Sequence, residues 1–445
     1  MPRIATPVTT DHHDAYDEVP PNAASLIQSI RKIGYGVGDA VADIVDNSIT
    51  AGASVINLDF HWNGADSWIR CTDNGKGMSA DVLRAAMRIG SRLPSDVRAE
   101  NDLGRFGLGL KTASFSQSRR LSVRTREAGG ETLTRCWDVD RVIRTNRWQL
   151  LTQAPDERAD ALLEQIPAGV SGTVVLWECL DRFQAGLTLA RLSKLFLDEI
   201  ESVTNHLSVC FHRLIGPKSG VTIRVNGGTV EPWDPFYEDN PATVVFPDEQ
   251  LGDGRATTSV QAFVIPRSSL PSVPEVSQYR NLTPRQGFYV YRERRLLVAG
   301  GWLGLRPLDE HADFALARIR VDITNAVDVE WQVDVRKSEA FPPPTHTEWL
   351  KIKAHRLREK ARAVLRRRQS GDREPIQELI DPVWQVTSAR GSLTFRVNRA
   401  HPILSTPGLA DVPPDALEAL LVVLETSIPM AMLANPTLRT TERKI

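Results

Sequence analysis

Apolar residues recur along this chain in two rhythms, and the rhythms divide it into helices and strands. Over 23–33 (AASLIQSIRKI) Leu26, Ile27, Ile30 and Ile33 fall at helical spacing. The stretch Gly34-Tyr35-Gly36-Val37-Gly38 reads as a turn, and a second helix runs from about Asp39 to Thr50. Strict alternation then predicts a strand from Ser54 to Phe60, with Ile56, Leu58 and Phe60 on one side and Val55, Asn57 and Asp59 on the other. Trp68-Ile69-Arg70-Cys71 reads as its neighbour, followed by the loop DNGKGM and a helix from about Ala80 to Ile89. Residues 90–104 are polar and without period, which marks a long loop. It leads into GRFGLGLKTASFS and a strand from Arg120 to Arg126. Further strands over 132–139, 148–152 and 173–177, and a helix from about Thr188 to Leu207, complete a first unit.

From about Gly220 the pattern is strand-rich: VTIRVNG, TTSVQAFVIP, GFYVYRERRLLV and ARIRVDIT, with a loop over 266–286. Pro342-Pro343-Pro344 ends this second unit, a basic helix covers 349–373, and the remainder carries a strand (SLTFRVN) and an apolar helix from Pro414 to Thr426. The expected division is an arm (1–22), a first unit (23–215), a second unit (216–345), the basic helix (346–373) and a small, partly helical C-terminal region (374–445). Both units are α+β. A length of 445 residues suits about three folded units.

Composition narrows the classes. A hydrophobic fraction of 41% can fill real cores. No apolar run of about 18 residues is present to span a membrane, and the first residues lack the apolar centre of a secretion signal. The four cysteines, Cys71, Cys136, Cys179 and Cys210, are too dispersed for a CxxC zinc site or a disulfide framework, so the expectation is a reduced cytoplasmic protein. A net charge of −1 excludes a uniformly basic nucleic-acid binder but not a local basic patch.

Three stretches carry candidate chemistry. In DAVADIVDNSITAGA a helix places Asp43 and Asn47 one turn apart on a ridge with Ala40 and Ala51. A neutral amide oxygen suits Mg²⁺, which keeps waters and substrate phosphates, and a neighbouring carboxylate can orient or deprotonate a water. Alone, the pair also fits an ordinary amphipathic helix with two exposed polar residues. In DNGKGM, Asp73 at a strand end can accept from an adenine amino group, with Gly75 and Gly77 admitting a flat ring and Met78 packing on it; a plain Asn-Gly turn fits equally well. Gly104-Arg105-Phe106-Gly107-Leu108-Gly109-Leu110-Lys111 is a glycine-rich turn opening a helix, a natural anion site. It follows neither the P-loop spacing nor the strand-turn-helix context of a dinucleotide fold.

Taken in order, a helix with carboxylate-x-x-x-Asn, then DxGxG, then GxxGxGxK after a loop resembles the GHKL ATPase superfamily of gyrase, heat-shock chaperones, histidine kinases and MutL. DIVDNSITAGAS and IGSR…LGRFGLGLKTASFS are especially similar to MutL and MORC ATPases. The resemblance is strong over 23–215 and looser over 216–345. It implies a two-layer α/β sandwich of Bergerat type, followed by a transducer-like α+β domain. It implies ATP and Mg²⁺ as ligands, with Asp43 as general base, Asn47 as metal ligand and Asp73 on adenine. Ala51, Gly75, Gly77 and Met78 would line the base pocket, and Thr173 would support Asp73. Residues 104–111 would hold phosphates beneath a lid over 90–104. Lys337, in WQVDVRKSE, is similar in position to the MutL lysine that reaches the γ-phosphate. Two departures stand out. The family's Glu is here Asp43, one methylene shorter, which points to slow hydrolysis. The acidic residue that often precedes Ala-Gly-Ala is here Thr50.

The helix 349–373 holds ten Lys and Arg against Glu359 and Asp372. That fits either a solvated helix face or a phosphate-tracking surface with steep salt dependence. Two functions follow from the resemblance. One is an ATP-gated clamp that homodimerises and acts on DNA through this helix, in DNA maintenance or bacterial defence. The other is a nucleotide-dependent switch that contacts a protein partner through 374–445, with little turnover. Neither involves a membrane.

Overall fold

The structure is a computed structural model. It describes residues 17, 19–32, 34–90, 109–181, 188–217, 219–253, 256–269, 285–333, 340–367, 384–389, 392–399, 404 and 412–426. The chain is mixed α and β, with sheets packed against helices.

Seven strands form the first sheet: β1 (Val55–His61), β2 (Trp68–Asp73), β3 (Arg120–Arg126), β4 (Leu133–Asp138), β5 (Gly172–Glu178), β6 (Thr222–Val225) and β7 (Gly228–Thr229). Their order is β4-β3-β5-β2-β1-β6-β7, antiparallel throughout except for β1 beside β6. The strand expected at 221–227 thus extends the first sheet, past the expected division at 215. Alternation decides the faces. Ile56, Leu58, Ile69, Cys71, Val123 and Val175 share a core with helices α1 (Ala23–Arg31), α2 (Val37–Thr50), α3 (Ala80–Met87), α4 (Gly109–Gln117) and α7 (Leu189–Cys210). On the opposite face Val174 and Leu176 pack with Ala159 and Leu163 of α6 (Glu157–Leu163). Strand β5 is therefore buried on both faces.

Several expectations shift. Val37 and Gly38, expected in a turn, open α2, with Gly36 as its N-cap. The strand expected over 148–152 reduces to one bridge between Leu151 and Cys136. The chain arrives there through left-handed Asn146, and Trp148 turns edge-on to Trp137 instead of extending the sheet. Two short helices were not expected: α5 (Val139–Thr145) and α6. The Asp138 and Asp156 carboxylates cap them, accepting from the Arg141 and Ala159 N–H groups at 2.9 and 2.8 Å.

The second sheet contains β8 (Val244–Val245), β9 (Glu249–Asp253), β10 (Ala256–Val264), β11 (Gly287–Arg292), β12 (Arg295–Ala299) and β13 (Ala317–Ile323). Its path is β12-β11-β13-β10-β8, with β9 also on β10. Helix α8 (Pro344–Arg367) lies against it through Leu350, Ala354, Leu357, Ala361 and Val364, a heptad-like buried stripe. A hairpin of β14 (Trp384–Ala389) and β15 (Ser392–Val397) and the helix α9 (Pro414–Thr426) end the described chain. No described helix is long and apolar enough to cross a membrane.

Candidate nucleotide site

The C-terminal half of α2 brings most of the expected residues together. Ser48 Oγ donates to Asp73 Oδ2 at 2.8 Å, tying the helix to the end of β2. The Ala51 carbonyl accepts from the Lys76 N–H at 3.0 Å, so the helix end also holds the following loop. Asp73 Oδ1 accepts from the Gly75 N–H at 2.9 Å, and Asp73 pairs with Thr173 across β2 and β5. Thr173 Oγ1 lies 3.0 Å from Thr125 Oγ1, and Thr125 accepts from the Met78 N–H, also at 3.0 Å. Asp73, Ala51, Gly75, Gly77, Met78 and Thr173 therefore form one connected group.

Burial pushes the Asp73 carboxyl up, and the hydrogen bonds from Gly75, Ser48 and Thr173 only partly offset it. The two loop glycines answer to the protein's own backbone. A Cβ on Gly77, whose φ is +73°, would lie 2.0 Å from the Arg126 carbonyl oxygen, and one on Gly75 would lie 2.9 Å from the Ala51 Cβ.

The surroundings of Asp43 are built differently. Asp43 is 2% exposed, and Tyr35 Oη donates to its Oδ2 at 3.2 Å. The first residue of α4 stands against it: a Cβ on Gly109 would lie 3.4 Å from Asp43 Oδ2. Asn47, one turn on, is exposed. A buried carboxylate, an exposed amide and a helix N-terminus thus converge, a donor set that fits Mg²⁺ and a phosphate chain. Leu110 is half-buried and packs on the first core. The buried Lys111 donates through Nζ to the Ala86 carbonyl at 2.8 Å. Gly104, Arg105, Phe106, Gly107 and Leu108, the expected lid beyond Gly90, and Lys337 lie outside the described residues.

Two contributors escaped sequence reasoning. Tyr35 lay in a stretch read as a turn. Arg295, from β12 of the second sheet, donates through Nε to Asp46 Oδ1 at 2.8 Å, with both side chains buried. Burial opposes the Arg295 charge, but Asp46, then Cys210 and Asp43, outweigh it and hold the guanidinium more firmly charged than usual. Asp46 sits between the Asp43 and Asn47 positions of α2, so β12 of the second sheet grips the helix that holds both. The arginine surplus in YRERRLL was the available signal, but nothing local names its partner 249 residues away.

The basic helix is largely engaged within the second domain. Lys353 pairs with Glu249, Lys360 lies over Phe246 at 4.9 Å, and Arg358 and Arg362 lie over Phe314 at 3.9 and 4.8 Å. Arg366 is exposed.

This sandwich carries paired carboxylates at opposite ends of one helix–strand contact. Residues 35–173 match the family described as histidine kinase-, DNA gyrase B-, and HSP90-like ATPase, a likeness that supports ATP binding. The chain is 36% identical over 91 residues to a DNA mismatch repair protein MutL of Opitutus terrae, covering 20% of this chain and 14% of that one. It is 40% identical over 92 residues to MutL of Syntrophotalea carbinolica, again 20% and 14%. It is 29% identical over 105 residues to ATPase morc-1 of Caenorhabditis elegans, covering 24% and 12%. No more than 14% of any of these three relatives is spanned.

Proposed function

We propose that the chain is a slow, Mg²⁺-dependent ATPase whose nucleotide state sets how its two domains sit on each other. One observation carries this reading: a single helix, α2, holds the buried carboxylate Asp43 and the exposed amide Asn47, anchors Asp73 through Ser48, and is itself gripped by Arg295. In this reading Asp73 accepts from the adenine amino group. Asn47 supplies one oxygen to Mg²⁺, which when bound neutralises phosphate charge. Asp43, oriented by Tyr35, takes a proton from the attacking water. Residues 104–111, the lid and Lys337 complete the phosphate end. The shorter Asp43 side chain makes the step slow.

The larger assembly follows by analogy with MutL and MORC. Closure over ATP favours a homodimeric clamp on DNA. Because α8 spends Lys353, Arg358, Lys360 and Arg362 on its own unit, and Arg366 lies 3.8 Å from Asp313, little of its charge is left over for DNA contact. That engagement also favours the second reading, a cytoplasmic switch acting on a protein partner through 374–445.

Equilibrium binding of ATP with and without Mg²⁺ tests the site. Asn47→Ala is expected to abolish the Mg²⁺-dependent gain in affinity while leaving the melting temperature unchanged; unaltered Mg²⁺ dependence would remove Asn47 from the metal. Titration of duplex DNA against salt separates the two assemblies, since phosphate contacts predict a steep loss of affinity as salt rises.

A further inference from the structure

The hairpin of β11 and β12 turns through Glu293 and Arg294, with φ of +47° and +70°. A two-residue turn of this kind favours Asn and Gly, yet four charged residues in a row, Arg292-Glu293-Arg294-Arg295, stand here. Their side chains reach three other parts of the chain. Arg292 donates through Nε to both carboxylate oxygens of Asp328, at 2.7 and 3.0 Å. Glu293 Oε1 accepts from the Asn325 N–H at 3.1 Å, so the segment 325–328 is held twice. Arg294 donates to the carbonyl of Arg213, just past α7. Arg295 holds Asp46 of α2.

Arg292 and Arg295 are direct cross-strand partners. Residues so opposed share a face, with Cβ atoms about 4.5–5.5 Å apart. Both arginines are buried, as are Asp328 and Asp46. Like charges directly opposite each other repel, and burial strengthens the repulsion. The arrangement holds because each guanidinium has a carboxylate of its own, and the two carboxylates come from separate segments. Loss of one carboxylate leaves a buried arginine that repels its neighbour and competes for the other carboxylate. The two ion pairs are therefore not independent.

We propose that Arg292 and Arg295 are coupled positioning residues: the turn they flank ties α2 to the segment 325–328, so that the hold on α2 depends on Asp328 as well as on Asp46. The bearing on ATP rests on the proposed function, in which α2 carries Asp43 and Asn47; the coupling itself does not.

Hydrogen exchange of the full chain without nucleotide tests it. Asp328→Asn keeps the shape of the side chain and removes its charge. The α2 amides around Asp46 should then exchange at least about threefold faster, while α6, on the opposite face of the first sheet, stays at the parent rate. Arg292→Met combined with Asp328→Leu removes both charges and should return α2 to near the parent rate. Should Asp328→Asn fail to fold, Arg292→Lys, which keeps the charge but not the planar donor, is read in the same way. In steady-state ATP turnover Asp328→Asn should lower kcat with KM little changed; a parent that turns over no ATP would remove the ATPase reading and leave the exchange result standing. Unchanged α2 exchange overturns the coupling. So does a rise shared equally by α6, which reports lost global stability, or a loss at α2 that the double variant fails to recover.

Discussion

Asp73 and Asp43 are both buried carboxylates, yet the chain supports them in opposite ways. Asp73 is held by its own neighbourhood: Ser48, the Gly75 N–H and the strand partner Thr173, all within the first sheet and its helix. Asp43 is held by Tyr35 and crowded by Gly109, and the helix beneath it is anchored from the second domain by Arg295. The Asp73 end is thus preformed by the first sheet and its helix, while the Asp43 end also depends on Arg295 from the second sheet. Under the proposed function this arrangement lets the base bind in any state while the chemistry stays conditional on how the two sheets are arranged.

The contrast is best broken at the catalytic end. Asp43→Asn is expected to lower ATP turnover by about 10²–10⁴-fold with little change in nucleotide affinity; retained turnover would move the base elsewhere. Arg295→Ala removes the buried guanidinium that faces Asp46, which should cost about 3–5 kcal/mol of stability in denaturant unfolding. The double variant Arg295→Met with Asp46→Leu should recover part of that loss, because it removes both buried charges together. Asp73→Asn is expected to weaken ATP binding at least about tenfold, about 1.4 kcal/mol, without lowering stability at neutral pH. The sign follows from burial: a carboxyl whose folded pKa is raised favours the folded state when protonated, and that benefit fades as pH rises through the folded value.

A pH-dependent effect sharpens the contact between the two sheets. His212 lies 2.8 Å from the Tyr291 hydroxyl, and burial, with Arg213, Arg320 and Arg294 nearby, drives its pKa down to about 3. The folded state therefore binds fewer protons than the unfolded one between about pH 6.5 and 3. Stability present above pH 6.5 should fall on acidification by about 1.4 kcal/mol per pH unit from this group. His212→Gln should flatten that part of the profile; an unchanged slope would assign it to other groups.

Much of this was legible in the sequence where signals are local. The alternation of β1, the strand Arg120–Arg126 and the helix Pro414–Thr426 follow directly from pattern. The helix-loop sequence around Asp43, Asn47, Asp73 and Gly75 fits an ordinary helix and turn as well as chemistry when read by spacing alone, and its reading as a nucleotide site comes from the family resemblance. Short helices were not: α5 and α6 have seven residues each, too few for a periodicity to declare itself, and only their Asp caps betray them. The placement of β6 in the first sheet, the Tyr35–Asp43 bond and the Arg295–Asp46 pair depend on contacts between distant segments, which no local pattern encodes. Gly75 and Gly77 were read as making room for a ring; the structure shows them making room for Ala51 and the Arg126 carbonyl.

The most direct measurement is a structure of the chain with Mg²⁺ and a non-hydrolysable ATP analogue. The account predicts the base against Asp73 and Met78, with the phosphates running toward Asn47 and the start of α4. Analogue bound away from α2, or with its base turned from Asp73, would contradict it.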